Sequence, residues 1–310
     1  MSSDVHKANK EYYGSKGKGI YSDFSTFAQG TALATSNAIE FIRDFSSRKG
    51  TIIVCEYGVG KGDFAKTFLD TVKKKDKRLY SRTRYYLYDF SEKMLGAARK
   101  NLSSHKAICI FGMFDAMLDS PFLQFDYCRI NELLTDLPAE LYMRKEDGVY
   151  AMLMENGALA GKRLSSPSPF VTRFLERIDE GRVMPFNFAA ERFLLELCRK
   201  GKPRFRVDVF DYGFHSAEDV FFIDAGEWNR LMVRNYGGQL TFDMNFPQAL
   251  AALLSDGRKA FVEPQKNYAE RVMGCKLSLL EKKGRLDYVR AKKSDGVFED
   301  DGFFHLRAGK

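Results

Sequence analysis

Cysteine, histidine and tryptophan are scarce in this chain of 310 residues, at five, four and one. Cys55, Cys109, Cys128, Cys198 and Cys275 are scattered, and so are His6, His105, His215 and His305, which leaves no ligand spacing for a metal and no disulfide framework. The cysteines read as reduced thiols, three of them small buried hydrophobes in strand-like runs. Apolar runs stop at strand length, as at Val149–Met154, far from the ~18–20 residues that cross a bilayer, so no membrane span is expected. The first residues, with Asp4, Lys7, Lys10 and Glu11, have neither a signal peptide's apolar centre nor a transit peptide's acid-poor composition, and a cytoplasmic location is expected. Proline and glycine are too few, at 8 and 25, for a collagen-like or bulk-disordered chain. Charge of neither sign dominates: 49 basic against 41 acidic residues leave +8, a mild excess spread along the chain that admits nucleic acid as a partner without requiring it.

What is there is a hydrophobic fraction of 45% in a length that buries a full core without staples. From residue 51 short apolar runs alternate with helix-length amphipathic stretches, the pattern of a parallel sheet covered by helices. The first run, Thr51–Glu56, ends in the loop Tyr57-Gly-Val-Gly-Lys-Gly62. A helix is expected over 63–75, with Phe64, Ala65, Phe68, Leu69 and Val72 at helical spacing, Asp63 as its N-cap and Lys73–Lys75 in its last turn. A strand Arg84–Asp89, a helix capped by Ser91 and running to Asn101, a strand over 107–111 and a strand Phe125–Ile130 complete four such steps. Residues 140–203, with the turn cluster Ser165-Ser-Pro-Ser-Pro169 and a helical stretch from Phe188 to Cys198, read as an insertion, after which the sheet resumes over 204–211. Residues 1–48 read as an N-terminal segment or lid, 49–310 as the main α/β domain, and the polar stretch Lys292–Lys310 as loosely packed.

Glu56-x-Gly58-x-Gly60-x-Gly62 closes the first strand and opens a helix, which is where open α/β sheets bind ligands. A dinucleotide fingerprint would want glycine at 63, and Asp63 would set an anion against the pyrophosphate. A phosphate-binding P-loop is absent as well. The loop suits a ligand without phosphates, and S-adenosyl-L-methionine is one. Glu56 is placed for its cationic end, Asp89 with Phe90 for its ribose hydroxyls, and Met113, Phe114 and Asp115 for apolar cover and the polar edge of adenine.

The same chain carries Ser22-Asp-Phe-Ser-Thr26, Asn131-Glu-Leu-Leu-Thr-Asp-Leu-Pro138, Asp211-Tyr-Gly213 and Gln239-Leu-Thr-Phe-Asp-Met-Asn-Phe246. With the glycine loop, these five ordered motifs resemble the class I methyltransferases and, more narrowly, the MidA-like family, which includes the mitochondrial complex I assembly methyltransferase. The resemblance implies a Rossmann-like core with an N-terminal segment and an inserted subdomain, S-adenosyl-L-methionine as cofactor, and ω-N methylation of an accessible arginine in a protein substrate. The chain departs from the family pattern at Ser22 for Gly, at Thr135 for Asp with Asp136 one place on, and at Gln239 and Asp243 for Asp and His. These departures bear on the substrate and leave the glycine loop untouched.

Methyl transfer from a sulfonium is an in-line displacement whose donor is already activated, so the protein's task is to aim a nitrogen lone pair at the methyl. An arginine guanidinium is planar and stays protonated; a carboxylate in a partly dry site can pair with it and turn one nitrogen forward. Glu132, after the fourth strand, is the candidate catalytic carboxylate, with Asn131 beside it offering both donor and acceptor. Asp211 and Tyr212 are candidates for a wall of the substrate site, and Asp23, Phe24 and Thr26 for a cover over it. Two other readings stay open. One is methylation of RNA, on the +8 charge and the basic residues of the C-terminal third; the other is a non-catalytic assembly protein that keeps the cofactor fold, on the Thr135, Gln239 and Asp243 departures. No metal or covalent nucleophile is required by a sulfonium donor, and the oligomeric state is not legible.

Overall fold

The computed structural model describes residues 2–16, 25–155, 158–216, 219–220, 223–236, 239–292 and 302–310. Its first part runs α1 (Ser2–Lys16), α2 (Thr31–Phe45), β1 (Ile52–Tyr57), α3 (Asp63–Lys75), α4 (Lys77–Arg82), β2 (Thr83–Asp89), α5 (Glu92–Asn101), β3 (Cys109–Met113) and β4 (Phe125–Asn131). Ser91 caps α5, its hydroxyl accepting from the Met94 N–H at 3.4 Å. At α3 the cap is Gly62 rather than Asp63: left-handed backbone at Gly62 (φ 80°) turns the chain into the helix, and Asp63, one residue inside, pairs with Lys61 at 3.1 Å. β3 starts two residues later than its apolar run suggests.

A separate antiparallel sheet follows, β5 (Glu140–Lys145), β6 (Gly148–Glu155), β7 (Ala158–Arg163) and β8 (Val183–Phe186) in the order β7-β6-β5-β8, with α6 (Pro169–Leu175) packed on it. Then come α7 (Phe188–Lys200), β9 (Gly201–Phe214), α8 (Ala225–Leu231), the hairpin β10 (Val233–Tyr236) and β11 (Gln239–Phe242), and β12 (Met244–Asn245). The last part is α9 (Phe246–Ser255), β13 (Lys259–Pro264), α10 (Gln265–Met273), the hairpin β14 (Leu277–Lys282) and β15 (Arg285–Arg290), and β16 (Phe303–Gly309).

The main sheet has the order β13-β16-β9-β4-β1-β2-β3, in which β9, β4, β1, β2 and β3 are parallel and β16 is antiparallel to both its neighbours. From β1 the chain steps outward to β3 and then returns to the other side of β1 as β4. The space beyond the carboxyl ends of β1 and β4 is therefore a topological switch point, where open parallel sheets take their ligands. The glycine loop and the Asn131–Glu132 pair both emerge there.

Three boundaries differ from the sequence reading. α2 is not part of a lid, because Ala38, Phe41 and Phe45 join Phe68 and Leu69 of α3 in one buried apolar cluster on the sheet. α7 belongs to the main sheet rather than to the insertion: Ala190, Phe193, Leu194 and Leu197 pack with Cys128, Val207 and Leu306 on the opposite face. Nor is the described end of the C-terminal stretch, 302–310, loose. β16 lies inside the sheet with Phe304, Leu306 and Ala308 buried. The polar residues between them conceal the strand in the sequence, and they are satisfied by a buried carboxylate: His305 Nε2 lies 3.1 Å from Asp208 Oδ1, to which Arg307 Nε donates at 2.8 Å.

β4 is buried along its whole length, with Cys128 and Ile130 toward α7 and Tyr127 and Arg129 toward α3. Arg129 stands in register with Glu56 of β1, donates to its carboxylate and to the Tyr85 hydroxyl, and stacks over Phe64 at 4.0 Å. A charge pair thus ties together the two strands that carry the glycine loop and Glu132.

Candidate active site

The glycine loop turns on left-handed backbone, with φ 73° at Gly58 and 55° at Gly60. A side chain at Gly58 would also crowd Leu133, whose Cβ lies 3.2 Å from where the added carbon would sit. The turn aims a donor at the next strand: the Gly60 N–H donates to Asp89 Oδ2 at 2.9 Å, while Oδ1 accepts from the Ser91 N–H at 2.9 Å. The Phe90 N–H also favours the carboxylate, which leaves about one of its four acceptor sites for a ligand. Burial outweighs these donors and lifts the Asp89 pKa to about 6.

Of the expected cofactor residues, Gly58, Gly60, Asp89, Phe90, Phe114 and Asp115 line one cavity. Three others do not. Glu56 is turned to Arg129, Gly62 packs against Ala98 and Leu102, and Met113, as the last residue of β3, is 54% exposed. Asn131 lines the cavity with an Oδ1 that is buried without a donor, an acceptor of the kind Glu56 was expected to give. α1 forms the remaining wall through His6, Asn9, Lys10 and Tyr13. Lys10 Nζ and His6 Nε2 reach Asp115 Oδ2 at 2.9 and 3.0 Å. Burial raises the Asp115 carboxyl, but Lys10, the Met117 N–H and His6 outweigh it and hold it below the ordinary range. Closed in this way the cavity encloses about 90 Å³, less than the ~300–1,000 Å³ of sites that hold small molecules.

A second cavity of about 950 Å³ adjoins the first, and Tyr13, Glu132 and Asp136 line both. Glu132 adopts left-handed backbone (φ 47°), an uncommon conformation for a residue with a side chain, held by its N–H donating to the Phe210 carbonyl at 2.8 Å. Its carboxyl accepts from the Thr26 hydroxyl at 2.7 Å and the Phe27 N–H at 2.9 Å. Burial, reinforced by Asp211, still lifts its pKa to about 8. Thr26 is part of this clamp rather than a loose cover, its backbone bonding to Gly284 and Leu286; Asp23 and Phe24 lie outside the described residues. Asp211 faces away from both cavities, accepting from the Leu134 N–H and the Thr135 hydroxyl at 2.8 Å each, and so shapes the loop after β4. Tyr212 does line the large cavity; Arg234 stacks on its ring at 4.8 Å and pairs with Asp243 at 2.8 Å.

A sequence profile of S-adenosyl-L-methionine-dependent methyltransferases matches residues 35–231, more than half of the chain, with the glycine loop, Asp89 and Glu132 inside it. The chain belongs to that family. A superfamily member from Burkholderia thailandensis bound to S-adenosyl-homocysteine is 15% identical, with 93% of this chain and 79% of that one covered at a TM-score of 0.64. A native structure of an uncharacterized protein of the same superfamily and organism is 15% identical, covers 99% and 93%, and gives 0.61. The DhpI–SAH complex is 13% identical, covers 99% and 98%, and gives 0.51. At these identities the likeness is one of fold. No curated protein matches the chain.

The cofactor of this methyltransferase is S-adenosyl-L-methionine, whose sulfonium supplies an activated methyl group. The polar groups present suit it, in a cavity that α1 must open to admit it: the remaining acceptor site of Asp89 suits a hydroxyl donor, and the orphaned Asn131 oxygen suits a cationic N–H group. Asp89→Asn should weaken cofactor binding in calorimetry by roughly 10–100-fold, the value of a hydrogen bond to a charged group; Met113→Ala should leave it unchanged. Asp136, Tyr13 and Gln239 escaped the sequence reading as site residues. The Tyr13 hydroxyl donates to Asp136 Oδ2 at 2.5 Å and the Gln239 amide to Oδ1 at 2.6 Å, joining α1, β11 and the loop after β4. The available signal lay in the departures from the family pattern: Asp136 and Gln239, noted separately there, meet in space.

Proposed function

We propose that this methyltransferase transfers its methyl group to a guanidinium nitrogen of an arginine in a protein. The observation that carries the reading is the surplus of acceptors in the large cavity where it meets the cofactor cavity. Burial lifts the carboxyls of Glu132 and Asp136 to about 8 and 7, and Gln239 Oε1 is buried without a donor. Such a wall suits a cationic ligand with five N–H donors. Arg234 does not meet the demand, being committed to Asp243. Glu132, its carboxyl plane set by Thr26 and the Phe27 N–H, pairs with the guanidinium and turns one nitrogen toward the cofactor. The aromatic face of Tyr212 walls the same space.

The direct test is incubation with methyl-labelled S-adenosyl-L-methionine and a cell extract, followed by acid hydrolysis. Label in methylarginine is expected; label confined to nuclease-sensitive material would replace the reading with RNA methylation. Binding of an arginine peptide should also release protons near pH 7, because a cation beside Glu132 lowers a pKa that stands at about 8 in the empty site. Calorimetry in buffers of different ionisation enthalpy counts those protons, and a count of zero would sink the cationic substrate.

A further inference from the structure

We propose that Asp136 takes up the proton released when the guanidinium nitrogen is methylated, an inference that rests on the arginine reading above. Tyr13, Glu132 and Asp136 are the described residues that line both cavities, so a nitrogen turned from one toward the other comes within their reach. Glu132 is already engaged, with Oε1 on the Phe27 N–H at 2.9 Å, Oε2 on the Thr26 hydroxyl at 2.7 Å, and the guanidinium charge as its partner in the complex. Asp136 is held differently. Its oxygens meet only the neutral donors Tyr13, at 2.5 Å, and Gln239, at 2.6 Å, and among the described residues no cation pairs with it. A carboxylate held so can gain a proton without breaking an ion pair, and burial, with Asp211 and Asp89 nearby, brings its pKa to about 7.

The step balances. The S–CH₃ bond breaks with its electron pair on sulfur, the N–CH₃ bond forms, and the N–H bond of that nitrogen breaks with the proton passing to Asp136. A sulfonium, a guanidinium and a carboxylate become a sulfide, a methylguanidinium and a carboxylic acid at unchanged total charge. Proton loss accompanies bond formation because the nitrogen group would otherwise carry a second positive charge. Glu132 orients; Asp136 receives.

The titratable groups facing Asp136 are Tyr13 of α1, Asp211 and Tyr212 of β9, Asp89 at the end of β2, and Glu132 in its own loop, while β11 contributes the neutral Gln239. Glu132 is ionised by the guanidinium once substrate is bound, so the rise of kcat with pH reports Asp136 in the complex. With the intact protein and a methyl-accepting arginine peptide, Asp136→Asn should lower kcat by ~10²–10⁴-fold with cofactor affinity unchanged. Tyr13→Phe removes a donor that favours the carboxylate, so the midpoint of the kcat rise should move up by about one pH unit. A merely structural Asp136 would leave that midpoint in place. Wild-type kcat in Asp136→Asn, loss of cofactor binding in that variant, or an unmoved midpoint in Tyr13→Phe each overturns the proposal. A wild-type protein that makes no methylarginine overturns the arginine reading together with it, and the wild-type assay tells the two failures apart.

Discussion

Glu132→Gln is expected to cut turnover by ~10²–10³-fold, as for the loss of a preorganised charge in a dry site, and yet to raise the melting temperature of the empty protein at pH 8 and above. The two effects have one origin. With a folded pKa of about 8 against ~4.3 in the unfolded chain, Glu132 binds its proton more tightly when folded. Between those values the folded state carries more protons than the unfolded one, so its contribution to stability is present at low pH and is lost as pH rises toward 8. Asp136, Asp211, Asp89 and Asp243, lifted to about 7, 6, 6 and 6, act with the same sign. Glutamine never ionises, and its amide can still accept from the Phe27 N–H and donate to the Thr26 oxygen. Thermal unfolding across pH 5–9 checks the point: the variant should lose stability less steeply than wild type, and parallel curves would contradict it. The protein is thus less stable where its site is ready to bind a cation, a trade common at functional sites.

Arg129→Met is expected to destabilise the fold by about 3–5 kcal/mol, the cost of leaving one member of a buried ion pair behind. Glu56 is only 2% exposed, and without the guanidinium it keeps the Tyr85 hydroxyl alone. Methionine fills much of the space between Phe64 and Phe68 but satisfies no charge. Adding Glu56→Gln should recover much of the loss, since removing both charges avoids the stranded one. Urea denaturation of the single and double variants separates this account from one in which the arginine acts through packing; in that case the double variant would be no more stable than the single.

The four opening strands and the glycine loop could be read from the chain because their signals are local: apolar runs, a cap at Ser91, and glycines where the backbone must turn left-handed. Glu132 drew attention mainly through the family resemblance, as the second residue of the Asn131–Pro138 motif that follows a buried strand. Glu56 was misassigned because an acid at the end of a strand looks alike whether it faces a ligand or a neighbour, and only the register of β1 with β4 shows Arg129 beside it. β16 was hidden by His305 and Arg307, whose carboxylate partner lies 97 and 99 positions away. α1 was opaque for a similar reason, since its contacts from His6 and Lys10 reach Asp115 across 109 and 105 positions.

The narrowness of the cofactor cavity has a kinetic meaning. A nucleoside-sized molecule cannot leave a space of about 90 Å³ walled by α1 unless that helix swings away, breaking the Lys10 and His6 contacts to Asp115. Exchange of spent for fresh cofactor then requires that motion and should quicken with ionic strength, which weakens the partly exposed Lys10 pair. Tyr13 leaves with the same helix and takes with it a donor to Asp136. A state open for cofactor exchange and a state with Tyr13 seated on Asp136 would therefore exclude each other.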